Sequence, residues 1–311
     1  MAARTCRIIL TGRPWTKPSS ALTNCVGWTP LSSMGSWCPS VAARSIYGSI
    51  IFNKMSLNKF FPIFRLLGLM VISALVAATP NAGQWHAAEK LLHSPTLDFA
   101  QARQALTSYE QLLPSDGQGP PQLLTRLAQV CFILGDLAGK NQRRQFYESG
   151  RCYAETLLQA RPDAVEGHYW LAMHLCGLAD VGSMVQGRRL LPRILQELHR
   201  ALALDEVYDQ AGAHRVLGRI YYEAPGWPFS VGDLDKSLRH LSAAVRLAPE
   251  TSTNHLYLAE TLRRLGKTAQ ARQEFEAVLI STRHAIHSPG LAEDRRQAQR
   301  HLTELGTSDK W

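Results

Sequence analysis

The sequence predicts an all-α protein built from consecutive pairs of antiparallel helices. Small and large apolar residues recur at helical spacing over much of the chain, and prolines stand between successive groups of them. With 45% hydrophobic and 19% charged residues among 311, the composition is that of a folded globular protein. These observations exclude a chain that is disordered throughout.

The clearest unit begins at His255. Measured on the tetratricopeptide repeat of about 34 residues, Ala259 and Ala271 take positions 8 and 20, where small side chains let two helices approach closely. Larger apolar residues take the neighbouring positions: Leu258, Leu262, Phe275 and Val278. The pattern therefore predicts a tetratricopeptide-like helical-repeat solenoid.

The same spacing identifies a repeat domain at 97–311. Its units are expected at about 122–162, 164–206, 210–249 and 251–281, with a C-terminal capping helix at about 289–305. A lone second helix around Tyr109 precedes them.

Three units are lengthened between positions 8 and 20. The interval is 22 residues from Ala128 to Gly150 and from Ala172 to Ile194, and 19 residues from Gly218 to Ser237. Lengthened intra-repeat loops are therefore expected on one edge of the stack. In the third unit, the segment 224–233 contains two prolines and two glycines, which break a helix, and Asp233 can cap the helix that follows.

Three segments precede the repeat domain. Residues 1–54 show no sustained period and are expected to be unstructured, or a mis-assigned extension if translation begins at Met55. Residues 55–78 read as a signal peptide or a membrane-anchor segment, because Lys59 and Arg65 precede a short apolar run that ends in small residues. Residues 79–96 read as a linker. We therefore expect a periplasmic or secreted protein, with membrane anchoring through the apolar run as a variant of that reading. A mitochondrial location is the alternative if the acid-free N-terminus is a transit peptide.

The positive charge is concentrated at the N-terminus. The formal net charge is +9, but eight basic residues precede the first acidic residue, Glu89, so residues 89–311 hold 26 basic and 25 acidic side chains. A nearly neutral folded region removes the main support for nucleic-acid binding.

One run of residues resembles a known family. It comprises Arg215-Val216-Leu217-Gly218, Tyr221-Tyr222, Pro225-Gly226, Gly232-Asp233, Ser237-Leu238, Ala248-Pro249 and Asn254-His255-Leu256-Tyr257-Leu258-Ala259-Glu260. From about Leu97 to about Leu305 the chain resembles the T-component proteins associated with TRAP transporters. That resemblance implies an all-helical partner of a periplasmic substrate-binding protein, and some members form trimers, so a homo-oligomer is left open. The second resemblance is to regulators of microtubule dynamics.

Motifs for chemistry are mostly absent. The run Gly135-Asp136-Leu137-Ala138-Gly139-Lys140 has the wrong spacing for a phosphate loop, and no HExxH motif occurs. His168 takes position 4 of its repeat, where packing is favoured over metal binding. We therefore expect neither an enzyme, a cofactor nor a metal site.

Positions 5, 9 and 12 of the first helices are expected to line a concave binding face. The candidates are Gln129, Phe132, Tyr169, Met173, Arg215, Arg219, Tyr222, Glu260 and Arg263, with Trp227 and Phe229 in the 224–233 loop. Their aromatic, thioether and arginine side chains are suited to binding a peptide or a protein tail. The alternative is that these side chains pack within the protein. The sequence thus predicts an exported scaffold for a partner protein, such as a transporter's periplasmic solute-binding subunit. The alternative is a carrier of a small apolar ligand in a channel between the helices.

Overall fold

A computed structural model describes residues 81–94, 97–285 and 290–308. Across these ranges the chain is helical, with no extended β-strand, which confirms the all-α prediction. The predicted segments 1–54 and 55–78 lie outside the described residues. A boundary between two compact units falls between His86 and Ala87, and the contacts given below are those of residues beyond it.

The helices of the described ranges are α1 (Asn81–Leu92), α2 (Phe99–Glu110), α3 (Pro121–Leu137), α4 (Arg143–Ala160), α5 (Val165–Val181), α6 (Met184–Leu204), α7 (Tyr208–Glu223), α8 (Leu234–Leu247), α9 (Ser252–Arg264), α10 (Thr268–Ile280) and α11 (Leu291–Ser308). From α2 to α11 each helix packs on the next one along the chain, and the first helix of each pair also contacts the first helix of the following pair. This is the packing of a helical-repeat solenoid.

Helix α1 lies in the segment 79–96 that the sequence presents as a linker. Ala88 is fully buried, and the Glu89 carboxylate accepts a hydrogen bond from the Tyr109 hydroxyl at 2.7 Å. The same carboxylate lies 2.7 Å from Nε of Arg126 on α3. These contacts fix the end of α1 against α2 and α3, which sequence periodicity over so short a segment does not reveal.

Small residues stand where the helices of a pair cross. Ala128, Ala172 and Ala259, each at position 8, are at most 1% exposed. In the third pair the position is Gly218, and a Cβ there would lie 2.5 Å from Cγ of Leu241. The crossing of α7 and α8 is therefore too close for any side chain larger than hydrogen.

The extra residues of the lengthened units are distributed in two ways. In the first two pairs they extend the helices, because the turns span only 138–142 and 182–183. These turns are shorter than the loops expected there. In the second interval the glycines and the proline are spread along the segment, whereas in the third interval two prolines and two glycines fall together within 225–232. In the third pair the extra residues do form a loop, at 224–233.

The 224–233 loop is closed by main-chain hydrogen bonds. Gly232 N donates to Pro225 O at 2.8 Å, and Asp233 N donates to Tyr221 O at 2.9 Å. The Asp233 side chain then accepts from Lys236 N at 2.9 Å and caps α8, as the sequence predicts. Among the described residues, none of the helices combines the length and the apolar character needed to cross a bilayer.

Candidate functional site

The first helices α3, α5, α7 and α9 carry the nine predicted contact residues. We call this surface the first-helix face. Six of the nine side chains are buried and three are at least partly accessible. The buried ones are Gln129, Phe132, Tyr169, Met173, Arg215 and Arg219, and the accessible ones are Tyr222, Glu260 and Arg263.

On α3 and α5, the predicted contact residues of the first-helix face are covered by other side chains of the protein. The Phe132 ring lies 5.6 Å from that of Tyr147 and 6.0 Å from that of Trp170, measured between centroids. Tyr169 is fully buried and Met173 is nearly so. At these positions the side chains pack within the protein, with ring separations and tilted planes typical of aromatic pairs.

Gln129 is also engaged within the protein. Its side-chain oxygen accepts a hydrogen bond from Nη1 of Arg126 at 2.7 Å, one helical turn earlier on α3. The same guanidinium reaches Glu89, so Gln129 belongs to the contacts that attach α1.

Arg215 is the centre of a buried polar cluster. Its Nη2 lies 2.7 Å from Oδ2 of Asp209, and the Tyr169 hydroxyl donates to the same carboxylate. On the other side, Nη1 donates to the Asn254 side chain at 3.3 Å. Burial raises the pKa of Asp209, while Arg215 and the Tyr169 hydroxyl oppose that shift. The cluster therefore joins α5, α7 and α9 through one guanidinium.

The cluster encloses a left-handed turn at the start of α7. Asp209, Gln210 and Ala211 have φ of 51°, 57° and 60°, a conformation that costs about 1–2 kcal/mol per residue without glycine. Arg215 donates to the carbonyl oxygens of Asp209 and Gln210, and Asn254 Nδ2 donates to Gln210 O at 3.2 Å. These hydrogen bonds from two helices offset the strain.

Arg219 forms the second buried cluster, one turn further along α7. It pairs with Glu260 on α9 and with Glu223 on its own helix. Its guanidinium also stacks over the ring of Tyr257, 4.6 Å from the centroid. Although burial alone would raise it, the pKa of Glu260 falls to about 2 because Arg219 and His301 stabilise the carboxylate. Arg219 therefore fixes α7 against α9.

The accessible part of the first-helix face lies at its C-terminal end. Arg264 donates to the Tyr222 carbonyl at 2.7 Å and covers the Tyr222 ring at 5.0 Å. Beside them, Arg263 Nη1 lies 2.9 Å from Glu304 Oε2 of α11, with the two side chains 40% and 59% exposed. Here an aromatic ring and two guanidinium groups meet solvent together.

Trp227 and Phe229 project from the 224–233 loop and are 89% and 75% exposed. They follow the end of α7 and lie in an intra-repeat turn, not on the helix positions that form the first-helix face.

Sequence reasoning missed several residues that build these clusters. Asp209 and Glu223 supply buried carboxylates, and Asn254 supplies the amide that closes the Arg215 cluster. Asn254 stands in the run that carries the family resemblance, which was the one available signal. The other two occupy no signature position of the repeat, so the pattern could not single them out.

No group of three or more His, Cys, Asp and Glu residues is arranged to hold a metal ion within the described part of the chain. His168 bonds to Glu197 at 2.6 Å and to the Pro162 carbonyl at 2.9 Å. Both ring nitrogens are thus engaged, one with the second helix of the pair and the other with the turn before α5.

The small crossing residues, the successive helix pairs and the first-helix contacts define a tetratricopeptide-like helical-repeat protein. A family model for regulator of microtubule dynamics protein 1-3 matches residues 87–229, and a tetratricopeptide-repeat model matches residues 229–286. The chain is thus similar to both, and the second resemblance seen in the sequence gains support from the first match. A search of curated proteins gave no match.

A solved structure supports the same fold. A thermophilic tetratricopeptide-repeat protein of Thermus thermophilus is 19% identical with a TM-score of 0.55, covering 72% of this chain and 99% of its own. MamA is 15% identical with a TM-score of 0.40, covering 65% of this chain and 92% of its own. Proteins with the tetratricopeptide-repeat fold are typically scaffolds that bind other proteins, and neither matched family model describes a catalytic family.

Proposed function

We propose that the protein is a scaffold that binds a partner protein at the C-terminal end of its first-helix face. The observation that carries this proposal is the accessible cluster of Tyr222, Arg263 and Arg264 on α7 and α9. Aromatic and arginine side chains are the residue types that contribute most to protein interfaces.

The chemistry of this cluster suits an acidic segment of the partner. The Arg263 guanidinium is paired with Glu304 across solvent, and an exposed pair of this kind contributes little stability. A carboxylate of the partner can replace Glu304 at small cost and form two parallel hydrogen bonds with the guanidinium. The partly buried Tyr222 ring contacts the guanidinium groups of Arg264 and Arg219, at 5.0 Å and 4.9 Å from its centroid, and so holds Arg264 in place at this surface.

The buried clusters position this surface. Arg219 pairs with Glu260 and Glu223 out of solvent, so removing Arg219 would leave uncompensated carboxylates and lower stability. Arg219 is therefore a positioning residue, and a test of binding needs Arg263 and Arg264 instead.

The test compares two double variants of equal charge in quantitative affinity purification from the natural source. Arg263→Ala with Arg264→Ala removes the proposed contact, and Arg193→Ala with Arg200→Ala removes two guanidinium groups from the second helix α6. We expect the first variant to reduce partner recovery at least about fivefold and the second to leave it unchanged. Equal recovery from both would refute the proposal.

The identity of the partner rests on the two family resemblances. The match at residues 87–229 favours a partner of the kind used by regulators of microtubule dynamics. The motif run from Arg215 to Glu260 instead suggests the solute-binding subunit of a TRAP-type transporter, and with it export from the cytoplasm. Sequencing the N-terminus of the natural protein would distinguish a cleaved export signal from a transit peptide or a retained anchor.

The alternative function, a carrier of a small apolar ligand, would require Phe132, Tyr169 and Met173 to separate from one another, since all three are buried in the structure. Native mass spectrometry of the purified chain distinguishes the two functions. A stoichiometric apolar ligand would favour the carrier.

A further inference from the structure

Exposed apolar side chains are concentrated on one edge of the stacked helix pairs. Helices within a pair are antiparallel and the first helices pack side by side, so the intra-repeat turns of the four pairs from α3 to α10 lie at the same edge. We call these turns, at 138–142, 182–183, 224–233 and 265–267, together with the first six residues of the helix after each, the intra-repeat edge. On it or directly beside it lie Leu137, Met184, Val185, Trp227 and Phe229, all exposed.

The same edge is basic. Its residues include three acidic ones and nine basic ones, the latter being Lys140, Arg143, Arg144, Arg188, Arg189, Lys236, Arg239, Lys267 and Arg272. The opposite edge is counted in the same way, from the turns at 111–120, 161–164, 205–207 and 248–251 and the first six residues of the helix after each. It holds two basic residues and seven acidic ones: Asp116, Asp163, Glu166, Asp205, Glu206, Asp209 and Glu250. Arg143 is paired with Asp136 and Asp180 near the ends of α3 and α5, and Asp209 is buried against Arg215. With these pairs set aside the two edges still carry opposite net charges, which the near neutrality of the folded region conceals.

The aromatic tip of the intra-repeat edge is held in place by the fold. The hydrogen bonds from Gly232 to Pro225 and from Asp233 to Tyr221 close the loop at its base. At Gly232 a Cβ would lie 2.0 Å from the Ala224 carbonyl oxygen, so the backbone at the start of the loop directly contacts the backbone at its end. Two large aromatic side chains presented to water in a closed loop mark an interaction site.

We propose that the intra-repeat edge docks on an anionic lipid membrane surface. Trp227 and Phe229 enter the interfacial layer, where aromatic side chains are favoured, and the lysine and arginine side chains contact lipid phosphates and carboxylates. This proposal does not rest on the partner-binding function, because it uses a different surface.

Two features favour a lipid surface over an acidic protein. The exposed apolar residues occur at three separate turns, and a membrane offers apolar and anionic groups along the whole edge, whereas a protein would need a matching pocket at each turn. The acidic opposite edge would be repelled by the same surface, which gives the docked protein one orientation.

The first experiment measures flotation of the full chain with vesicles of phosphatidylcholine, with and without about 30% phosphatidylserine. The edge variant is Trp227→Ser with Phe229→Ser. Its matched control is Val207→Ser with Ile280→Ser, which removes exposed apolar residues from the 205–207 turn and from the C-terminal end of α10, away from the intra-repeat edge. Every protein retains residues 55–78, so any attachment through that segment is common to all. We expect the edge variant to bind anionic vesicles at least about tenfold more weakly and the control to bind as the wild type does.

A second readout reports on Trp227 itself. Brominated lipids quench tryptophan fluorescence at the interface, and the difference between the wild type and Trp227→Phe isolates the contribution of this residue. We expect that contribution to be quenched on anionic vesicles and to recover at high salt. Flotation without quenching of Trp227 would overturn the proposal. So would an edge variant that binds vesicles normally but fails to bind poly-glutamate, since that result identifies an acidic polypeptide as the ligand.

Discussion

His255 contacts Glu274 through one ring nitrogen and the Pro249 carbonyl through the other. Nδ1 lies 2.6 Å from Oε2 of Glu274, and Nε2 lies 2.8 Å from the carbonyl oxygen of Pro249. A carbonyl and a carboxylate both accept, so this geometry suits the imidazolium form. His168 makes the same two contacts, with Glu197 and Pro162, in an earlier helix pair. Position 4 is thus used to join a first helix to its second helix and to the preceding turn.

The His255 contact predicts a pH-dependent contribution to stability. Burial lowers the pKa of His255, but the hydrogen bonds to Glu274 and Pro249 outweigh it and the net shift is upward. A raised folded-state pKa gives stability that is present below the unfolded pKa of about 6.5 and is lost as pH rises through the folded value. We expect His255→Gln to lower the free energy of unfolding by roughly 1 kcal/mol at acidic pH and by less at alkaline pH. Urea titrations across this range measure the difference, and a loss that grows with pH would contradict the assignment.

His174 predicts the opposite dependence. It is fully buried, and burial lowers its pKa to about 3. Protonation therefore favours the unfolded state, so stability contributed by neutral His174 falls as pH drops below about 6.5, by up to about 1.4 kcal/mol per pH unit. His174→Gln can still donate to the Ala128 carbonyl, which His174 Nε2 contacts at 3.0 Å, but it does not titrate. We expect this variant to flatten the acid limb of the curve of unfolding free energy against pH. An unchanged acid limb would count against a buried neutral histidine.

The close crossing at Gly218 predicts a cost for any added side chain. Gly218→Ala places a Cβ against Leu241, and overpacking of this kind costs about 1–3 kcal/mol. Gly306→Ala is the matched control, because Gly306 is also helical and a Cβ there meets nothing within 4 Å. The control should be neutral or stabilising by up to about 1 kcal/mol, from helix propensity alone. Thermal unfolding of both variants checks the pair, and equal midpoints would show that α7 and α8 are not in such close contact.

The buried pair of Arg215 and Asp209 predicts strong coupling. Arg215→Met leaves the Asp209 carboxylate without its cation and the left-handed turn without its donor, at a cost of about 3–5 kcal/mol. Adding Asp209→Asn removes the stranded charge, so the double variant should be more stable than the sum of the single losses indicates. A double-mutant cycle by chemical denaturation measures this coupling. Strict additivity would show that the two residues do not act as a pair.

Much of the fold could be predicted from the sequence because repeat periodicity reflects local packing rules. Ala128, Ala172 and Ala259 mark helix crossings by their size alone, and the Pro and Gly residues of 224–233 mark a loop by their backbone limits. The short turns at 138–142 and 182–183 were missed since a lengthened interval does not reveal whether helix or loop absorbs it.

The candidate site was less predictable because position in a helix does not determine burial in the stack. Arg215 and Arg219 were expected on a binding face, yet both are buried. There they pair with the carboxylates of Asp209 and Glu223, which occupy no signature position of the repeat. The charge of the intra-repeat edge was hidden for a related reason. A sum over residues 89–311 averages two edges that the fold separates, and only the helix bounds show which charges share an edge.

The most direct test of the account is site-specific photo-crosslinking of the full chain with its partner. A benzoylphenylalanine placed at Glu304, next to Arg263 at the accessible end of the first-helix face, leaves both arginines in place and should yield a covalent adduct with the partner. The same group placed at Arg200, on the second helix α6, should yield none. An adduct at Arg200 with none at Glu304 would contradict the claim that the first-helix face holds the partner.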